Sequence, residues 1–195
     1  MTTIETLEKL TKDKASLDLF SIIFPELKRV RIFSKLSETK KVLLKEKDFI
    51  FLLSLMIIDN TDNTDYFLYK FNISKKNQKR IKNIDNFYKE KINTKTFTEN
   101  TMNKVFYYLG KQAVLDILDF KIIKSNKSIN FLNELRKHYE NHEFPIMPVK
   151  ADFLMRKYQI PEGKQLGKKL KIIEEAWVKN NFRISDQQVD VIINN

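Results

Sequence analysis

The chain has 195 residues, 42% of them hydrophobic, enough for one full core or two small ones. It holds no cysteine, which excludes a disulfide scaffold, a thiolate zinc site and a cysteine nucleophile, and suits a reducing cytosol. With 36 basic against 25 acidic residues the formal net charge is +11, a balance that either neutralises the phosphates of a nucleic acid or reflects only a lysine-rich composition.

In chain order, Ile4, Leu7 and Leu10 place a short helix over residues 2–12 with one apolar side. Leu17, Phe20, Ile23 and Phe24 carry a second helix from about Ser16 until Pro25 interrupts it, and Leu27, Val30 and Phe33 continue an apolar side beyond. Residues 45–58 are apolar nearly all round and are expected at the centre of a first bundle. The apolar run inside them, 49–58, is too short to span a bilayer, and the N-terminus is polar and acidic rather than signal-like, so a cytoplasmic protein without a membrane partner is expected.

Between Asp59 and Asp65 the acidic residues are spaced as in a calcium loop. The glycine and the closing glutamate of an EF-hand are missing, and a capped turn between helices is the better reading. Thr64 or Asp65 is then expected to cap a short helix through Phe71. Ser74 is expected to cap a basic helix over 75–91 with Ile81, Ile84 and Tyr88 inward. The hydrophilic stretch 93–96 marks the expected internal boundary, with a first helical bundle over 1–93 and a second over 94–195.

Thr98 or Asn100 opens a long helix whose Met102, Val105, Phe106, Leu109, Ala113, Ile117 and Phe120 form one inward stripe, with Gly110 inside it to admit a close neighbour. Another helix is expected over 128–141. Pro145, Pro148, Pro161, Gly163 and Gly167 then punctuate an entry, a turn and a packed helix start. In the helix that follows, Leu166, Leu170, Ile173 and Trp177 fall at i, i+4, i+7 and i+11, while Lys164, Lys168, Lys171 and Lys179 lie on the opposite side. No alternating strand pattern occurs, so the expected fold is all-α, an elongated multi-helix bundle without a sheet.

The catalytic repertoire is narrow. No Asp-x-Asp pair is available to hold two magnesium ions, and no Gly-Gly or Gly-Ser turn offers backbone amides to a triphosphate. His138 and His142 stand at helical spacing, but the surrounding residues are not His-Glu-x-x-His and no third ligand cluster accompanies them, so they read as a solvated helix end and not a metal site. Trp177 is placed for core packing more than for base stacking, because it keeps register with three aliphatic residues. Only six of the 36 basic residues are arginine, the stronger phosphate reader.

Three islands carry a family resemblance. The run from Pro161 to Phe182, P-E-G-K-x-L-G-x-K-L-x-x-I-E-E-x-W-V-x-N-x-F, resembles the end of bacterial tRNA nucleotidyltransferases, the CCA-adding enzyme and poly(A) polymerase family, in their class II, α-proteobacterial form. Val105 to Ala113 is similar to that family's L-Y-R-L-G-x-E-A helix, and Leu68 to Arg80 to its L-x-L-S-x-x-x-R-x segment. Phe24 to Leu27 resembles the segment just after the catalytic half.

The resemblance implies the post-catalytic, RNA-holding portion of such an enzyme. Lys164, Lys168 and Lys171, with Arg156 and Lys157, would then hold a tRNA backbone. It also implies a separately encoded catalytic head as partner, and tRNA 3′-end processing as the setting. Magnesium and nucleotide would bind the head, leaving no cofactor, metal or catalytic residue in this chain, which alone is expected to polymerise nothing. A free-standing helical interaction protein, or a decayed gene fragment, is the alternative.

Overall fold

The computed structural model describes residues 3–90, 96–125 and 130–194. Among these every regular element is a helix, as the sequence led us to expect. In order they are α1 (Thr3–Lys12), α2 (Lys14–Ile23), a 3₁₀ helix (Val30–Lys35), α3 (Glu38–Lys45), α4 (Phe49–Ile57), α5 (Asn63–Lys70), α6 (Lys75–Glu90) and α7 (Glu99–Leu109). The series continues with α8 (Lys111–Lys124), α9 (Asn130–Asn141), α10 (Ala151–Tyr158), α11 (Lys164–Lys179) and α12 (Asp186–Asn194). No helix among the described residues is long and apolar enough to cross a membrane. The backbone forms two compact units, one of Met1–Asn93 with Leu115–Arg136, the other of Thr94–Val114 with Lys137–Asn195, so the division falls inside α8 and α9. Of the expected boundary at 93–96, only Thr96 lies within the described residues.

In the first unit, α4 is the central element, because residues 51–57 of this helix are all buried. The Asp48 carboxylate starts it by accepting from the Phe51 amide at 3.0 Å, which satisfies one of the orphan N–H groups of the first turn. Around α4 pack α5, α6 and the 3₁₀ helix, while α1 packs on α2, α3 and the 3₁₀ helix. Ile81 and Ile84 of α6 are fully buried, as are Ile117, Leu118 and Phe120 of α8.

Several local expectations needed correction. Helix α2 begins two residues early because Asp13 accepts from the Ser16 amide at 3.2 Å, and it buries only Leu17; Ile23, expected inward, is 55% exposed. Helix α5 starts at Asn63, not after a Thr64 or Asp65 cap. The Asn63 side-chain amide donates to the Glu26 and Ile57 carbonyls at 2.8 Å each, which fixes the first turn from outside, and Thr64 is buried. Helix α3 was not anticipated; Leu44 is its one buried residue. Residues 128 and 129, the expected start of the next helix, lie outside the described residues, and α9 is described from Asn130.

The second unit is organised around α11, which packs on α7, α10 and α12. Leu154, Leu166, Ile173 and Val189 form one buried cluster, with Met155, Tyr158 and Leu170 against it. The expected long helix through Gly110 is in fact two helices. Gly110 has φ +90°, where a side chain is strained; its N–H closes α7 on the Phe106 carbonyl at 3.0 Å, and its own carbonyl accepts the Ala113 amide of α8 at 3.2 Å. An added Cβ would meet nothing within 4 Å at Gly110 or Gly167, so neither glycine admits a close neighbour, and the start of α11 is not packed at Gly167. Gly163 (φ +145°) sits at the N-cap of α11, and Gln159 (φ +52°) ends α10 in the left-handed region.

Candidate functional site

Helix α11 has the two sides that its spacing anticipates. Leu166, Ile173, Trp177 and Val178 are buried and Leu170 is half-buried, while Lys164, Lys168, Lys171 and Lys179 are all exposed. The Trp177 ring meets Tyr107 edge-on at 5.3 Å and Phe182 at 5.1 Å. Tyr107 in turn donates to the Glu174 carboxylate at 2.6 Å. Burial of its ring, and then the Glu174 contact, push the Tyr107 hydroxyl up to about 12. Two side chains of the inner side, Trp177 and Glu174, therefore fix the rotation of α11 against α7, and that rotation turns the lysines outward.

Arg156 and Lys157 are exposed on α10, which packs on α11. They edge a recess of about 460 Å³ that Pro148, Lys150, Asp152 and Phe153 complete. The two are not equivalent. Lys157 forms an ion pair with Asp190 of α12 at 3.1 Å and lies over the rings of Phe153 and Tyr158, at 5.5 and 4.9 Å. Its contacts with Tyr158 and Asp190 raise its pKa. Lys157 is thus tied to its own unit, whereas Arg156 forms no ion pair among the described residues, although Asp152 lines the same recess. Lys164, Lys168 and Lys171 share one side of α11 at i, i+4 and i+7.

Two of the six arginines serve the interior of the first unit instead of a surface. Arg80 grips the fully buried Asp116 with two hydrogen bonds, at 2.7 and 3.1 Å, and also bonds Asp48. Arg136 and Lys47 meet the fully buried Asp119 at 2.7 and 2.5 Å. Asp116 and Asp119 both lie on α8, so this pair of acid–base clusters holds α6, α9 and the segment before α4 to one helix. Sequence spacing gave no sign of it, because the partners are 17 and 36 positions apart in the arginine bonds.

Among the described residues no group of three or more His, Asp or Glu side chains is gathered to hold a metal ion. His138 and His142 have their rings 4.8 Å apart, and His142 meets the Phe106 ring edge-on at 5.7 Å, a packing arrangement. The Asp59 carboxylate accepts from the Thr61 amide and hydroxyl at 3.0 and 2.6 Å, so this acidic stretch forms a turn through its own side chains.

The sequence model of a family described as tRNA nucleotidyltransferase domain 2 matches residues 41–189, which take in α10, α11 and every lysine and arginine singled out above on them. No curated protein and no solved structure matches the chain.

Proposed function

Because the chain belongs to the tRNA nucleotidyltransferase domain 2 family, we propose that it is the helical, RNA-holding portion of a tRNA nucleotidyltransferase, working in the cytoplasm beside a separately encoded catalytic head. The observation that carries this reading is the family match over residues 41–189 in a sequence without an Asp-x-Asp pair. In this reading Lys164, Lys168, Lys171 and Arg156 contact backbone phosphates, and Lys157 steadies the α10 surface on which Arg156 stands. Exposed lysines on a rigid helix neutralise phosphates without reading bases, which suits a part that holds RNA by its backbone.

The test is affinity purification of the native chain from its own cells under conditions that preserve weak complexes. Recovery of tRNA together with a chain carrying a nucleotidyltransferase head is expected. Recovery of neither would overturn the proposal. One observation favours the alternative of a free-standing interaction protein: Leu19, Ile22 and Ile23 of α2, 59%, 77% and 55% exposed, form an apolar stripe at i, i+3 and i+4. On that reading the chain would come down with a protein partner and no RNA.

A further inference from the structure

A second basic feature lies in the first unit, in a part of the chain that mostly precedes the family match. A recess of about 480 Å³ opens between the segment 28–40 and the C-terminal end of α8. Of the nine described residues that line it, six are cationic: Lys28, Arg29, Arg31, Lys35, Lys40 and Lys124. Among the described residues no carboxylate lines it.

These six cations differ in what already engages them. Lys40 donates to the Ile123 carbonyl at 2.9 Å and to the Ser125 carbonyl, so it closes the end of α8. Lys28 pairs with Asp59 at 3.2 Å. Arg29, Arg31, Lys35 and Lys124 have no ion pair among the described residues. The Lys124 ammonium lies over Phe120 and Tyr88, at 4.9 and 5.7 Å. It is deeply enough set that desolvation, followed by the charges of Arg29 and Lys121 and only partly opposed by Asp59, brings it down to about 8.

A convex row of lysines is an ordinary solvated face. A concave site that crowds four cations without an ion pair among the described residues, one of them partly desolvated, raises the free energy of the empty protein and lowers that of an anion inside it. Two planar guanidinium forks match the oxygen geometry of a phosphate, and the volume leaves room for a group attached to it. We propose that this recess is a phosphate-binding site, with Arg29, Arg31, Lys35 and Lys124 as its ligands and Lys40 as the group that holds its wall in place. The phosphate is either a free anion such as pyrophosphate or a backbone phosphate of RNA. The site is independent of α11, and it would stand if the RNA role assigned to α11 fell.

Isothermal titration of the full chain at pH 8 separates these possibilities. The titrants are pyrophosphate and a short unstructured RNA, each in two buffers of different ionisation enthalpy. An anion against Lys124 restores its charged form, so binding is expected to be saturable and to take up protons, and Lys124→Met should abolish most of that uptake. Arg31→Gln and Lys35→Gln change exposed groups without an ion pair among the described residues and should leave thermal stability unchanged, yet each should weaken binding about ten-fold, as loss of one charge-assisted hydrogen bond does. If the weakening is seen with pyrophosphate, the site takes a free anion; if only with RNA, it takes a backbone phosphate. Non-saturable heats with both titrants would overturn the proposal. So would binding that Arg31→Gln and Lys35→Gln leave intact while the combined Lys164→Gln, Lys168→Gln and Lys171→Gln variant abolishes it, a result that would spare the reading of α11.

Discussion

Trp177 is 2% exposed and touches Tyr107 and Phe182, so its indole is structural and unavailable for stacking on a base. Trp177→Ala should lower stability by about 3 to 5 kcal/mol in denaturant titration, the cost of removing a large buried aromatic and leaving a cavity. A loss under about 1 kcal/mol would contradict its burial. Lys124 makes a different prediction, in pH. Its folded pKa, about 8, lies below the ordinary lysine value of 10.5, so between those two values the unfolded chain holds a proton that the folded chain has released. Stability contributed through this group therefore rises with pH across that window. Measured against Lys124→Met, which lacks the titration, the parent should gain stability between pH 8 and 10. Using the difference cancels the tyrosines, of which Tyr88 and Tyr107 are raised by burial and titrate in both proteins above that range. A flat difference would mean that Lys124 is solvated.

At the scale of helices, Gly110 and Gly167 look alike in sequence and should respond oppositely to alanine. Both have open space where a Cβ would go, so backbone conformation alone decides the sign. Gly110 joins α7 to α8 at φ +90°, and alanine there should cost about 1 kcal/mol or more. Gly167 is an ordinary helical residue of α11, and alanine there should stabilise by about 0.5 to 1 kcal/mol through a less flexible unfolded chain. Thermal denaturation of the two single variants checks both signs. The same pair shows what the sequence could convey. Helices α4 and α11 were legible because one is apolar on all sides and the other has a clean stripe over three turns. Helices α3, α10 and α12 were not, since none is longer than nine residues and each buries a single residue. The break at Gly110 was hidden because the apolar residues on either side keep helical register across it. The exposed lysines of α11 were legible from the stripe opposite them. The recess in the first unit was not, because Arg29 and Lys124 meet only through the folding of distant segments.

Over the whole molecule, the formal charge of +11 resolves into cations with distinct employments. Arg80, Arg136 and Lys47 neutralise buried aspartates, Lys40 closes a helix, Lys157 braces α10 to α12, and Lys164, Lys168 and Lys171 have none of these duties among the described residues. Changing those three to glutamine keeps helix propensity nearly constant and removes only charge. If they hold RNA, each neutralised phosphate releases condensed counterions, so tRNA affinity should fall steeply with salt and depend little on base sequence. The triple variant should then show a salt slope shallower by about 0.7 to 0.9 for each phosphate that is no longer neutralised, at unchanged thermal stability. Filter binding across a range of salt, with tRNA and with a single-stranded RNA of equal length, measures both the slope and the contribution of folded shape. A variant that binds tRNA with the parent's affinity and slope would make these lysines a solvated face, and would leave the basic recess of the first unit as the place where RNA could be held.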